Sequence, residues 1–412
     1  MHQSRHSAFQ TPSQLVAPPA ATEVLIVGGG PAGLAAAIAL CQRGIDCIVI
    51  EARAAAGIDK ACGEGLMPDS RETLAQLGIT LDQRDGHLFR GIRFANSVHS
   101  VDANFPRGQG IGVRRPHLHA LLSARAHQAG AHLLWNSHIQ LSAAGLSTEE
   151  PKTNLDSSQP HRTALVNGQP VRYRWLVGAD GQASTVRRWA GLDRARMRSL
   201  RFGFRTHYRV APWSEFVEVH WGPHGQLYVT PVAPDCVCVA SITRNPRQAS
   251  ANTRANILAG FPHIAARLHG AGIASKQRGA VTASCKLRRV ATGFVALIGD
   301  ASGSADAITG EGLAITFRQA LALADSIQSG SLAPYRRAHS RIGRLPLTMG
   351  RLMLTLDRWP ALQVRAIRAL AGTPVFFQDL LHAHMGEMDL ASVLLRRGPR
   401  FGWSLLTKGD HA

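Results

Sequence analysis

Val24-Leu-Ile-Val-Gly28-Gly-Gly30-Pro-Ala-Gly33 is an apolar run that breaks into Gly-x-Gly-x-x-Gly and then into a helical pattern. Residues 23–27 read as a short buried strand, and Gly28 permits the tight turn after it. Gly30 lets the backbone approach a pyrophosphate, and Gly33 lets the helix starting near Pro31 pack on the sheet. That helix turns free N–H groups and a positive dipole end toward phosphate. Ile45-Asp-Cys-Ile-Val-Ile50 reads as a second parallel strand ending at Glu51. An acidic residue about 20 positions past the glycines is where a ribose hydroxyl pair is held. The stretch therefore predicts an α/β fold that opens with a dinucleotide-binding βαβ unit.

Two more Gly-rich segments follow. One is Trp175-Leu-Val-Gly-Ala-Asp180-Gly181-Gln-Ala-Ser184-Thr-Val-Arg187. The other is Phe294-Val-Ala-Leu-Ile-Gly299-Asp300-Ala-Ser-Gly-Ser, followed by Gly310-Glu311-Gly312-Leu313. In this order and spacing the three segments point to FAD, and they resemble the p-hydroxybenzoate-hydroxylase-type flavoprotein superfamily. That superfamily holds group A flavin monooxygenases, geranylgeranyl reductases and flavin halogenases. The resemblance covers residues 22 to about 330. It implies that Asp180, Gly181, Ser184 and Arg187 lie near both FAD and a nicotinamide cofactor, NADH or NADPH. It further implies that Gly299 and Asp300 meet the ribityl chain, and that Gly310, Glu311, Gly312 and Leu313 start a helix facing the flavin pyrimidine. A helix N-terminus there stabilises the negative charge of reduced flavin. Arg115, in Val113-Arg-Arg-Pro-His-Leu118, resembles the family's phosphate-side arginine, in preference to Arg114.

The reaction is less sharply marked. Many hydroxylases of the group carry Gly-Asp-Ala-Ala-His and then Pro in the third segment. Gly299-Asp-Ala-Ser-Gly303 and Asp306-Ala-Ile-Thr-Gly-Glu-Gly look closer to the geranylgeranyl-reductase branch, as does Lys60-Ala-Cys62-Gly-Glu-Gly-Leu-Met-Pro68. That branch places a Cys-Gly-rich loop near the flavin ring. No Trp-x-Trp-x-Ile-Pro segment of the halogenases is present. The expected function is an FAD-dependent oxidoreductase using NAD(P)H. Hydroxylation of an apolar, aromatic or polyketide-like substrate through C4a-hydroperoxyflavin is the first reading, because the D-G segment matches strongly. Reduction of lipid C=C bonds is the alternative, and a non-enzymatic flavin- or nucleic-acid-binding module a distant third. Cys62, Glu64 and Glu311 are the candidate catalytic groups. Alternation in Glu215–Trp221 and Gly225–Pro231 predicts antiparallel strands with one buried face. Phe204, Trp221, Tyr228 and Thr230 are candidates for the substrate wall, with Trp213 and Pro231 beside them.

The chain has 412 residues, enough for two or three units and an enclosed cofactor. The predicted organisation is a leader over 1–21, expected to be disordered, and a discontinuous Rossmann-type FAD domain over 22–197 and 291–333. A β-sheet substrate domain follows over 198–290, and a basic helical region over 334–412. Six cysteines without a C-x-x-C pair, and no secretory signal, predict reduced thiols in the cytoplasm. Nineteen scattered histidines predict no metal site. A net charge of +19 lacks a nucleic-acid recognition motif beside it, so a basic solvated surface is the plainer reading. Arg351, Arg358, Arg365 and Arg368 among Leu, Met and Ile predict amphipathic C-terminal helices broken at Pro360. A further short helix is expected around Ala391–Arg397. These helices either pack on the FAD domain or make peripheral membrane contact.

Overall fold

β1 (Ala21–Val27) lies at the heart of a sheet, parallel to β2 (Cys47–Ile50) on one side and β11 (Gln169–Gly178) on the other. Burial on both faces explains its unbroken apolar run, in which Val24, Leu25 and Ile26 are fully inaccessible. β8 (His132–Leu134) extends the sheet beyond β2. β19 (Val295–Leu297) and β18 (Ala291–Thr292) extend it beyond β11. β9 (Ile139–Leu141) and β10 (Arg162–Val166) hang from β11 as an antiparallel flap. α1 (Pro31–Cys41) is apolar all round because it is covered by the sheet, α3 (Arg115–Gln128) and α7 (Gly312–Gln328). The structure is a computed structural model and describes residues 17–55, 58–142, 162–193, 195–223, 225–245, 254–304 and 306–407. Most of the expected leader, residues 1–16, lies outside that set.

The second sheet runs β20 (Gly303–Ser304), β17 (Arg278–Leu287), β12 (Ala195–Arg209), β15 (Cys236–Thr243), β14 (Gly225–Ala233), β13 (Phe216–Gly222), β5 (Gly91–Ala95) and β6 (Ser100–Asn104), with β16 (Gly272–Ile273) beside β12. A small third sheet of β3 (Gly65–Leu66), β7 (Gly110–Gly112) and β4 (His87–Phe89) lies between the two. Residues 91–104 depart from the predicted boundaries. They join the second sheet through the parallel pair β5–β13, although sequence order assigns them to the cofactor domain. The pairing buries Phe94 against Trp221 and Phe377, at 5.8 and 4.8 Å between ring centroids.

Period-2 geometry gives the second sheet two unlike faces. Arg201, Arg205 and His207 share the inner face with Cys238, Ala240, Gln226, Tyr228, Thr230, Val219 and Trp221. Phe204, Thr206, Tyr208, Leu227 and Val239 point the other way, under α5 (Arg254–Ala259) and α6 (Pro262–Arg267).

The C-terminal region forms α8 (Ala333–Arg358), α9 (Pro360–Ala371), α10 (Pro374–His384) and α11 (Leu390–Thr407). The break at Pro360 falls where expected. α10 has no counterpart in the sequence reading, and α11 is much longer than 391–397. α2 (Pro68–Gln76) and the short α4 (Thr185–Trp189) complete the helices among the described residues. None of the helices is long and apolar enough to cross a membrane.

Buried charge fastens α8 to the sheet. Arg201, fully inaccessible, pairs with Asp357 of α8, and its Nε lies 3.3 Å from Asp306 Oδ1. Arg244 Nε reaches the same Asp357 at 2.6 Å, and Gln226 donates to it. Removing one partner of a buried pair strands the other charge. Asp357→Ala should therefore lower unfolding free energy by about 3–5 kcal/mol in urea titrations, far more than the same change at exposed Asp325.

Candidate active site

The dinucleotide end is built from backbone. Gly28 has φ +113°, and a Cβ there would lie 2.5 Å from Ala179 O. A Cβ on Gly33 would lie 1.8 Å from Gly28 O. The fold itself demands both glycines. Gly30 is different, because its φ is −74° and a Cβ would meet no protein atom within 4 Å. Glu51 stands at the end of β2, where its Oε2 accepts from Gly29 N at 2.8 Å and its Oε1 from Arg53 N at 3.0 Å. His119, fully buried, places Nε2 2.9 Å from Gly29 O. Burial holds its pKa below the usual histidine range, so a neutral ring donates to that carbonyl. Sequence spacing alone gave no reason to separate His119 from the exposed His117, which bonds half-buried Asp85 instead.

The second and third glycine segments meet through Arg187. Its Nε contacts Asp193 at 2.7 Å, Nη2 donates to Gln182 O at 2.7 Å, and Nη1 donates to Ala301 O at 3.3 Å. The guanidinium is thus engaged by the protein itself, tying the D-G segment to the G-D segment. Asp180 caps α4, accepting from Thr185 N at 2.6 Å and Val186 N at 3.2 Å, beside Gly181 at φ +79°. Ser184 Oγ accepts from Arg187 N at 3.0 Å. Gly299 N donates to Gln319 Oε1 at 2.9 Å, and half-exposed Asp300 pairs with Lys60 at 2.8 Å. Lys60 brings the Cys62 loop to the third segment, a contact that sequence order does not suggest.

Cys62 and Glu64 lie in that loop. Cys62 Sγ accepts from Glu64 N at 3.4 Å, and Cys62 O lies 3.7 Å from Cys238 Sγ. Glu64 is buried with φ +60°, a strained value for a non-glycine residue. Its Oε1 accepts from Arg115 N at 2.9 Å, capping α3, and its Oε2 lies 2.6 Å from His207 Nε2. Arg205 Nη1 stands 3.5 Å from the same carboxylate and also binds Asp59. Glu64, His207 and Cys238 come within 4.8 Å of one another, close enough to share a metal ion. Arg205 already supplies the positive charge, and burial pushes the Cys238 thiol well up, so the cluster reads as a hydrogen-bonded ion network. A run of buried charges with period two along β12 is the signal that would have revealed it.

At the opposite end, Gly310 has φ +70°, and Gly312 opens α7 with Leu313 next to it. A Cβ on Gly312 would meet nothing within 4 Å. Glu311, 2% exposed, points inward, where burial pushes its pKa up to about 8. Trp221, Tyr228 and Thr230 share the inner face of the second sheet. Tyr228 Oη donates to Ile308 O at 2.9 Å, Thr230 packs beside Gly65 and Gly112, and the buried Trp221 Nε1 has no partner among the described residues. Phe204 is separated from them, because its parity along β12 is opposite to that of Arg205. It lines a small pocket with Ile257 and Leu258 on the outer face. A strand pattern fixes which residues share a face but not which face meets the cofactor segments.

These features fit FAD. The buried Nε atoms of Arg114 and Arg115 have no hydrogen-bond partner among the described residues. Arg115 opens α3 one turn before His119, whose Nε2 meets Gly29 O in the first glycine segment. A digeranylgeranylglycerophospholipid reductase of Methanosarcina acetivorans is 25% identical over 71% of this chain and 71% of its own length. A menaquinone reductase of Mycobacterium tuberculosis is 32% identical over 41% of this chain, which spans only 40% of that relative. Among solved structures, a flavoprotein/dehydrogenase of Cytophaga hutchinsonii superposes with TM-score 0.71 at 17% identity, covering 93% of this chain and 96% of that one. A geranylgeranyl bacteriochlorophyll reductase-like protein of Thermoplasma acidophilum gives 0.66 at 18%, covering 92% and 99%. A flavin-dependent brominase gives 0.63 at 17%, covering 91% and 92%. At such identities the superpositions establish the fold.

The open space at Gly30 and Gly312 makes the cofactor contact testable. Alanine is compatible with both backbones, so Gly312→Ala should keep the apoprotein as stable as before or up to about 1 kcal/mol more so, and Gly30→Ala, at the N-cap of α1, should cost it no more than about 1 kcal/mol. FAD affinity measured by fluorescence titration should nevertheless fall more than about tenfold, equivalent to about 1.4 kcal/mol. A model described as FAD binding domain matches residues 21–329, which is 309 of the 412 residues, and the chain belongs to that family of FAD-dependent oxidoreductases.

Proposed function

We propose that the enzyme reduces C=C bonds of a polyprenyl lipid, with NADH or NADPH supplying the electrons through FAD. The observation that carries this reading is the reductase naming of both relatives above, one of them for a digeranylgeranyl phospholipid. The unsaturation of a geranylgeranyl chain is its C=C bonds, so reduction there means adding two hydrogens across an apolar double bond. Bound FAD supplies the hydride chemistry. Val219, Trp221 and Tyr228 of the inner sheet face form a buried apolar cluster with Ile308 of the turn before α7, an environment that supports binding of an isoprenoid chain beside it. The Cys62–Glu64 loop is held to the same face by Arg205 and His207. Hydroxylation remains the second reading, supported by the match of Asp180, Gly181, Ser184 and Arg187 to the D-G segment.

Anaerobic mixing of the reduced holoenzyme with geranylgeranyl diphosphate or a digeranylgeranyl phospholipid should reoxidise the flavin and add two hydrogens to the lipid, one C=C bond per flavin, read by absorbance and mass spectrometry. An oxygen-dependent hydroxylated product, with no anaerobic turnover, would move the assignment to hydroxylation.

A lipid substrate also calls for delivery from a membrane surface. α11 exposes Leu394, Leu395 and Leu406, the last two at 79% and 80%, alongside exposed Arg396, Arg397 and Arg400. This composition supports peripheral contact with anionic lipid. Co-sedimentation with anionic vesicles should occur at low salt and weaken as salt rises. Leu395→Glu with Leu406→Glu should abolish it.

A further inference from the structure

Glu311 and His384 meet where the C-terminal helices reach the glycine segment that opens α7. Glu311 immediately precedes the first turn of α7 and is 2% exposed. Its Oε1 lies 3.5 Å from Nε2 of His384, the last residue of α10, whose side chain is 10% exposed. Glu311 Oε2 and His384 Nδ1 are both buried without a hydrogen-bond partner among the described residues. The other charges facing the pair are Arg318 of α7 and Asp69 of α2. These two bond each other at 2.6 Å and largely cancel, so neither provides a counter-charge for an ionised Glu311. The positive end of α7 favours the carboxylate, but one carboxylate oxygen without a donor in a dry site weighs more heavily.

We propose that Glu311 and His384 form a proton-holding pair at the α7 end of the cofactor site. Glu311 is kept as the neutral acid and His384 is the positioning residue that orients it. The C-terminal helices thereby complete a site that the family match, ending at residue 329, does not contain. Burial pushes Glu311 up to about 8 and His384 down to about 4, so between those limits the pair holds one proton, on the carboxyl. A neutral acid adds no negative charge beside a cofactor that becomes anionic on reduction. It also leaves an O–H group at hand for protonation chemistry. The inference rests on the FAD site and holds for either reaction.

The sign of the pH dependence follows. Glu311 binds its proton more tightly folded than unfolded, so its contribution destabilises the fold progressively as pH rises from about 4.5 to about 8. His384 does the reverse, and stability falls as pH drops from about 6.5 to about 4. Infrared spectra of the apoprotein with isotope-labelled glutamate should show a protonated carboxyl band at pH 7. The band should titrate away near pH 8 and be missing in Glu311→Gln. Affinity for reduced FAD, measured anaerobically, should weaken several-fold across the same pH range in the wild type and stay flat in Glu311→Gln. His384→Ala should displace the midpoint by about one pH unit, and His384→Gln should restore it in part. A band absent at pH 7, or an affinity profile unchanged in Glu311→Gln, overturns the pair. An unmoved midpoint in His384→Ala overturns the positioning role. Because the infrared reading uses apoprotein, it stands even if the reductase assignment fails.

Discussion

Two arginines on one strand hold the parts of this molecule in register. Arg201 and Arg205 lie four residues apart on β12, so they share a face, and both are almost completely inaccessible. A buried guanidinium without anions is far costlier than any packing it contributes. Each arginine therefore requires carboxylates from elsewhere in the chain. Arg201 takes Asp306, beside the third glycine segment, and Asp357 of α8. Arg205 takes Asp59 and Glu64 of the Cys62 loop. The cofactor segments, the loop and the C-terminal helices are all anchored to one strand by this requirement. Burying that much charge is weak evidence for stability, because well-packed apolar residues often do as well. What it sets is registry, since each arginine accepts only an arrangement that brings its acids to the inner face.

The cofactor half of the fold is legible in the sequence because its signals are local. Gly28, Gly30 and Gly33 act within a few residues of the strand and helix they join, and the apolar run of β1 reports directly that both faces are covered. The second sheet is less legible, because which face looks inward is decided by partners distant in sequence. Trp221, Tyr228 and Thr230 come to the inner face and Phe204 does not, a difference of parity that composition cannot reveal. β5 and β6 were hidden for a related reason. Their place beside β13 depends on Phe94 reaching Trp221 across more than a hundred residues. His384 could not be read at all, since nothing near it in sequence marks it as more than one of 19 histidines.

The individual roles of the glycines sort by what a side chain would strike. Gly33 is required by the chain's own carbonyl at residue 28, so its presence says only that this turn is tight. Gly30 and Gly312 are required by nothing in the protein, and that is more informative. Two positions at opposite ends of the site keep open space above backbones that would tolerate alanine.

In the proposed site a chain of net charge +19 places an acid beside its cofactor. At the proposed phosphate end the α1 N-terminus supplies positive character, where a dianionic linkage needs it. The ring end has no such need in the oxidised state and must tolerate added negative charge on reduction. An ionised Glu311 there would oppose that charge, whereas a protonated one leaves the α7 amides as the dominant field. Burial by α10 is what keeps the proton in place. The C-terminal helices thus set the electrostatics of the site as well as its boundary, and the exposed leucines of α11 lie in the same helical region.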